Sequence, residues 1–225
     1  MHIRTFYFNP IRVSTYVLYD DSDSSDAALS VPHSDAALSV QRSAVLIDVG
    51  CFTQQEQQRL ARFLEQEHLV PVAHLLTHAH LDHLFGAAFV QEQYRLTPML
   101  HPQDKLLYTS LIRQAQAFGI PWDEPAPPSF VPLSDGQLLD FGFVRLRVIH
   151  TPGHSPGSVC FYDEQHHLLF SGDTLFQHGY GRTDLPGGDP SQLYRSLQHL
   201  FTLPPDTQVW PGHGLTTTIS DEQND

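Results

Sequence analysis

Apolar positions along the chain recur in short alternating or continuous runs, separated by polar clusters and prolines. Residues 3–19 carry the aromatic and β-branched side chains of strands, and Ala44–Val49 (AVLIDV) is an apolar run stopping at Gly50. Both predict neighbouring strands at the start of a sheet. Thr53, Gln54, Gln55 and Glu56 form a capping-box pattern, in which the threonine oxygen accepts an early helix N–H and the glutamate reaches back. Leu60, Phe63 and Leu64 then give that helix an apolar stripe of the kind that packs on a sheet. Val72–Leu76 predicts the next strand, ending at Thr77. One helix is expected from Asp82 to Val90 and another over His101–Phe118, with Pro102 near its start and Gly119 as its C-cap.

Pro121, Pro125, Pro127 and Pro128 make the following stretch a constrained loop. Val144, Leu146 and Val148 alternate with Arg145 and Arg147, the pattern of a half-buried strand. Val159–Tyr162 and Leu168–Phe170 predict a hairpin around Asp163–His166. Asp189, Pro190 and Gln192 predict a helix start, with Leu193, Leu197 and Leu200 on its inward face. Gln208–Trp210 reads as a final short strand. This alternation predicts a layered α/β domain with helices outside the sheets. SDAALSVPH at Ser25–His33 is followed at once by SDAALSVQR at Ser34–Arg42, which reads as a local duplication lengthening a hairpin connection. Residues 1–225 are therefore expected to be a single domain with a duplicated hairpin insertion at about 21–42.

Charge narrows the partners. Twelve Lys and Arg against 25 Asp and Glu leave a formal charge of −13. That balance argues against nucleic acid, whose backbone is bound largely by cations, and against an anionic membrane surface. Cys51 and Cys160 are the only cysteines, too few for a disulfide scaffold or a four-thiolate metal site. The N-terminal MHIRTFYFNP lacks the features of a secretory signal, and no run approaches 18 apolar residues. A soluble protein in a reducing cytoplasm is expected. Fifteen histidines turn attention to metal chemistry.

The decisive segment is Thr77-His78-Ala79-His80-Leu81-Asp82-His83. A regular helix would set His78 and His80 about 200° apart, whereas a turn at the end of a strand gathers all four polar groups. Imidazole and carboxylate suit zinc and also iron or manganese. His154 lies in TPGHSPG, Asp173 ends FSGD, and His213 sits in WPGHG. Each follows an apolar run and is flanked by glycine, as expected of polar residues collected beyond strand ends. His74, His101 and His150 are expected to be structural rather than ligating.

These motifs resemble the metallo-β-lactamase superfamily, and within it the glyoxalase II-like hydrolases. The resemblance rests on THAHLDH (Thr77–His83), TPGHSPGS (Thr151–Ser158), SGDTLF (Ser171–Phe176), GRTDLPGG (Gly181–Gly188) and PGHG (Pro211–Gly214), in that order. It implies a four-layer αββα sandwich with a metal cleft at one sheet edge. It further implies that His78, His80 and His154 bind one divalent ion, that Asp82, His83 and His213 bind a second, and that Asp173 bridges both. The ions are expected to be zinc, with iron or manganese as alternatives. Flavodiiron relatives typically carry glutamate at the position of His80, so the resemblance is to hydrolases.

The implied chemistry is attack of an activated water on the carbonyl of a small-molecule acyl-thioester, with Asp82 and Asp173 as the catalytic carboxylates. In GRTDLPGG, Arg182 can contact a substrate carboxylate or brace the loop through Asp184. Tyr180 and His178 are weaker cleft candidates, while Phe6, Tyr7 and Phe8 read as strand packing. Lactone or phosphoester hydrolysis, iron-dependent persulfide oxygenation and non-catalytic metal binding stand as alternatives. Full glyoxalase II enzymes add a helical C-terminal region with glutathione-binding basic residues, whereas this chain has no Lys or Arg after Arg195. Strong glutathione recognition is therefore not expected.

Overall fold

The computed structural model describes residues 1–20 and 41–223. The duplicated segment lies outside these residues except for Gln41 and Arg42. Strands β1 (His2–Phe8) and β2 (Val13–Tyr19) form an antiparallel hairpin, and β3 (Arg42–Ile47) pairs antiparallel with β2. Helix α1 (Gln54–Gln66) begins at the expected capping box: Glu56 N donates to Thr53 Oγ1 at 3.2 Å and Thr53 N to Glu56 Oε2 at 3.0 Å. Strand β4 (Leu69–Leu75) lies parallel to β3 and starts three residues before the expected Val72.

The next helices are shorter than the sequence pattern predicts. Helix α2 (Leu81–Leu84) stops before Gly86, and α3 (Ala87–Tyr94) restarts beyond it, so the single helix expected over 82–90 is two. Gly86 N donates to the Val49 carbonyl at 2.9 Å, and a Cβ at Gly86 would stand 2.5 Å from that oxygen. The chain dips onto the sheet there, and only glycine permits the approach. After the two-residue strand β5 (Met99–Leu100), the helix expected over 101–118 is a 3₁₀ turn at Pro102–Asp104, then α4 (Lys105–Thr109) and α5 (Leu111–Ala117). The break has a local cause. The Leu107 carbonyl accepts from Ser110 N, Ser110 Oγ and Gln114 Nε2 at 2.9–3.0 Å, which closes a turn instead of continuing the α-helical ladder. Gly119 (φ 65°) ends α5 as expected, with Ile120 N donating to the Ala115 carbonyl. Strand β6 (Val131–Pro132) closes the first sheet, whose order is β1-β2-β3-β4-β5-β6.

The second sheet comes from the rest of the chain. Strands β7 (Leu138–Asp140), β8 (Arg145–His150), β9 (Val159–Asp163) and β10 (Leu168–Gly172) form an antiparallel series. A small hairpin of β11 (Leu175–Phe176) and β12 (Gly179–Tyr180) leads to helix α6 (Pro190–Leu200). Asp189 caps that helix as expected, accepting from Ser191 N and Gln192 N. Strand β13 (Gln208–Pro211) runs parallel to β10, and β14 (Thr217–Thr218) and helix α7 (Ile219–Glu222) follow. The sheet order is β14-β13-β10-β9-β8-β7.

Side chains alternate across each strand, and that alternation builds the layers. Leu18, Val45, Ile47 and Leu75 of the first sheet meet Leu146, Val148, Phe161 and Phe170 of the second. Val17, Ala44 and Leu46 turn the other way, onto Leu60 and Leu64 of α1. Tyr162, Leu169 and Val209 face outward onto Leu193, Leu197 and Leu200 of α6. The architecture is a four-layer αββα sandwich, as expected. The loops after β4, β8, β10 and β13 carry the metal-ligand candidates.

Candidate metal centre

His78 and His80 follow β4 in a turn whose first residue, Thr77, is tied down by a buried carboxylate. Asp48, just past β3, accepts from Thr77 N at 2.8 Å and from Thr77 Oγ1 at 2.6 Å. The same carboxylate lies 2.9 Å from His83 Nδ1, so it fixes the ring and leaves Nε2 facing the cleft. Asp48 has a left-handed backbone (φ 50°), uncommon for a residue with a side chain. Asp82 and His83 stand in the single turn of α2. Its N-cap residue is His80, and Asp82 lies in its first turn.

The other loops converge on the same point. His154, on the loop after β8, is oriented through Nδ1 by the Arg182 carbonyl at 2.7 Å. Asp173 follows β10, and His213 follows β13. A side chain at Gly212 would run into Asp173 Oδ1, so glycine there lets the last loop close on the site. His213 Nε2 comes within 3.1 Å of Asp82 Oδ2 and 3.6 Å of Asp173 Oδ2. His154 Nε2 lies 2.8 Å from His80 Nδ1 and 3.5 Å from Asp173 Oδ2.

All seven residues thus come together. Their donor atoms form three overlapping groups, each within 4.8 Å: His78, His80 and His154; His78, His83 and Asp173; Asp82, His83 and His213. His78 Nε2, His80 Nε2, His83 Nε2 and Asp173 Oδ1 are buried and have no hydrogen-bond partner. An unpaired buried polar atom costs about 1–3 kcal/mol, and four facing one cleft are the signature of a cation site. Protonation agrees. Burial and the neighbouring imidazoles hold His78 well below the usual histidine range, and burial with His154 pushes His80 down to about 4. Both rings are neutral near pH 7, the state that ligates. Burial opposes charge on His83, but Asp82, Asp48 and Asp173 outweigh it and hold its pKa well above the usual value. Asp82 and Asp173 stay ionised, because the surrounding histidines overcome the effect of burial. The set therefore offers two His/Asp-based sites able to coordinate divalent ions.

The cleft over these groups measures about 400 Å³ and is lined by Ile11, Leu81, Phe118, Phe176, Leu185, Tyr180 and Arg182 together with His80, Asp82, His154, Asp173 and His213, while His78 and His83 are fully buried behind them. Arg182 makes a two-pronged ion pair with Asp184, at 2.7 and 2.6 Å, so the bracing role expected for it is present. Tyr180 is 64% exposed at the cleft. His178 donates its backbone N–H to Glu222. His74, His101 and His150 stand outside the donor groups among the described residues. Two structural acids were not read from the sequence. Asp48 had a signal, since it is the one charged residue in the apolar run Ala44–Val49. Asp104 had none. Fully buried, it accepts from Ala79 N, Ser155 Oγ and Gly157 N at 2.6–2.9 Å, joining the loops of His78–His80 and His154.

Comparison with known proteins agrees with this geometry. Residues 38–213 match the family described as the metallo-beta-lactamase superfamily. The chain is 37% identical over 186 residues to a hydroxyacylglutathione hydrolase, GloC, of Haemophilus influenzae, covering 81% of this chain and 85% of that one. Its structure is similar to that of the BLEG-1 B3 metallo-beta-lactamase, with a TM-score of 0.81 and 35% identity over 100% of this chain and 97% of that one. It is equally similar to TTHA1623 in a di-iron-bound form, with a TM-score of 0.81 and 37% identity over 98% and 97% of the two chains.

Proposed function

The chain belongs to the metallo-beta-lactamase superfamily, and on that premise we propose that this metal-dependent hydrolase cleaves small-molecule acyl-thioesters. The observation that carries hydrolysis is the set of three overlapping donor groups with partnerless buried nitrogens. The thioester follows from the similarity to a hydroxyacylglutathione hydrolase and from the cleft lined by Tyr180 and Arg182. In this reading His78, His80 and His154 hold one divalent ion, Asp82, His83 and His213 hold another, and Asp173 joins the two sets. Zinc is our first assignment; iron gains support from the di-iron form of TTHA1623, and manganese suits the same donors. When bound, such ions supply Lewis acidity toward a carbonyl and a water of lowered pKa.

The chain's own groups set the geometry of the reaction. Asp82, its Oδ2 3.1 Å from His213 Nε2, orients the attacking water. Asp48, Asp104 and the Arg182 carbonyl fix the rings and turns around it. Leu81, Phe176 and Leu185 exclude bulk water from the carbonyl. Arg182, held by Asp184, stands where a substrate carboxylate would enter. Overall, water adds across the acyl–sulfur bond to give a carboxylic acid and a thiol. No side-chain nucleophile is needed, and burial pushes the thiols of Cys51 and Cys160 up, Cys160 to about 12. No described helix is long and apolar enough to cross a membrane.

The test is a turnover screen of purified protein across acyl-thioesters, lactones, phosphodiesters and persulfides after loading with zinc, iron or manganese. Thioester hydrolysis is expected to lead. Turnover confined to another class would overturn the reading. Asp173→Ala is expected to fold, to hold less than the wild-type metal content, and to lose at least 100-fold in kcat.

A further inference from the structure

Beside the metal centre lies a second, larger hollow of about 850 Å³, bounded by α4, α5 and the loop through Leu185. It shares His80, Phe118 and Leu185 with the 400 Å³ cleft over Asp82, Asp173 and His213, so the two form one continuous surface. Its walls are largely apolar, built from Leu106, Leu107, Phe118, Pro156 and Leu185. Leu106 is 82% and Phe118 49% exposed, and apolar side chains concentrated along a concave surface mark a ligand site. No Asp or Glu lines this groove among the described residues; its polar lining is His80, Ser110 and Gln114 together with the exposed side chains of Gln103, Thr109 and Arg113.

Its floor is coupled to the metal-binding turn. Gln114 donates from Nε2 to the carbonyls of Ala79 and Leu107, both at 2.9 Å, and its Oε1 accepts from Leu81 N at 3.2 Å. One side chain thus joins α4, α5 and the segment that carries His80. The break at Ser110 allows α4 and α5 to flank the groove as separate walls.

We propose that this groove is the acyl subsite, taking an apolar acyl chain of medium length whose carbonyl lies at the metal centre. The proposal rests on the thioester reading for its chemistry and on the groove for its selectivity. A chain running from the carbonyl past His80 meets Phe118 and Leu185 first and Leu107 and Leu106 beyond. The apolar walls formed by Leu106, Leu107, Phe118, Pro156 and Leu185 favour a hydrocarbon over a hydroxylated acyl chain, because a hydroxyl buried against them would lose its water, while Arg113, Gln103 and Thr109 are exposed and keep theirs.

The experiment uses the full, metal-loaded chain. Acetyl, hexanoyl and decanoyl thioesters of N-acetylcysteamine are compared by kcat/KM. Unreactive S-alkyl thioethers of the same thiol are compared by equilibrium binding. Both are expected to rise with chain length, by about fourfold per methylene that the groove buries. Ala117→Trp, which fills the groove, and Leu106→Glu, which charges its wall, should each flatten the dependence; both sites are exposed, so neither variant threatens the core. Binding that ignores chain length, or that keeps its dependence in both variants, overturns the proposal. So does a series in which acetyl thioesters gain from lengthening the thiol while acyl length has no effect, because the leaving group would then occupy the groove. Chain-dependent binding, sensitive to both variants but without thioester turnover, would uphold the apolar subsite and overturn the thioester reading alone.

Discussion

Asp48 shows why the ligand motif is incomplete without residues far from it in sequence. Its two oxygens serve Thr77 N, Thr77 Oγ1 and His83 Nδ1 at once. Asp48→Asn keeps the size but turns one acceptor into a donor, so either Thr77 or His83 loses its anchor. Partners of this kind typically govern metal affinity by about 10–100-fold, and a loss in that range is expected in a chelator competition assay. Wild-type affinity would remove Asp48 from the site. The seven donors were legible because they crowd into a few short motifs. Asp104 was not, because its meaning arises only when Ala79 and Gly157, 25 and 53 residues away, close around it. His74 makes a separate point. It is fully buried with both ring nitrogens unpartnered, and burial pushes its pKa down to about 3. The unfolded chain, with an ordinary histidine near 6.5, therefore binds the extra proton between those values. Stability should fall as pH drops below about 6.5, by about 2 kcal/mol at pH 5 from this residue alone. His74→Leu should lose that share of the acid sensitivity when urea unfolding with chelator present is compared at pH 7 and pH 5. Equal sensitivity in both proteins would show that the ring finds a partner as it charges.

Helix starts set by local signals are legible in the sequence, and helix breaks set by tertiary contact are not. The Thr53–Glu56 box and the Asp189 cap are satisfied within three residues. The interruption at Gly86 depends on Val49, 37 residues earlier in the chain, and periodicity along one helix cannot register it. At Ser110 the pattern continues through the break because α4 and α5 both bury one face, with Tyr108, Leu111 and Ala115 inward. The capping box of α1 also reaches beyond its helix. Glu56 accepts from Phe52 N and Thr53 N, and through Oε1 from Asn9 N at 2.7 Å. Asn9 in turn donates to the carbonyls of Gly50 and Asp82, linking the cap to the turn beside the metal centre. Thr53→Ala should cost about 1 kcal/mol, as for an ordinary N-cap, and leave turnover near wild type. Glu56→Ala strands three N–H donors and should cost more, about 2–3 kcal/mol, with a measurable rise in KM. Equal losses in denaturant midpoint for the two variants would refute the link through Asn9.

At the scale of the molecule, the alternation of strands and helices identified layers but left their connection open. The first sheet begins as an antiparallel hairpin and continues through parallel strands, a mixture that strand patterns alone do not encode. The resemblance of the motifs supplied the αββα order. Charge, by contrast, is read directly from composition and acts on the molecule as a whole. The chain carries a formal −13, and two bound divalent ions would offset the carboxylates of Asp48, Asp82 and Asp173 at the centre while leaving the chain as a whole strongly negative. Arg182, the cation lining the cleft over the donors, pairs through Nε and Nη2 with Asp184. An anionic thiol carrier such as glutathione therefore approaches against the net field, while a neutral thioester of N-acetylcysteamine does not feel it. The screening length shrinks from about 30 Å at 0.01 M salt to about 10 Å at 0.1 M. Over that range kcat/KM for an acyl-glutathione should rise, on the order of two- to fivefold, and that for the matched neutral thioester should stay flat. Both are measured on the same metal-loaded preparation so that ion occupancy cancels. The opposite slope, with glutathione turnover falling as salt is added, would mean that Arg182 releases Asp184 and local attraction at the cleft outweighs the field of the chain.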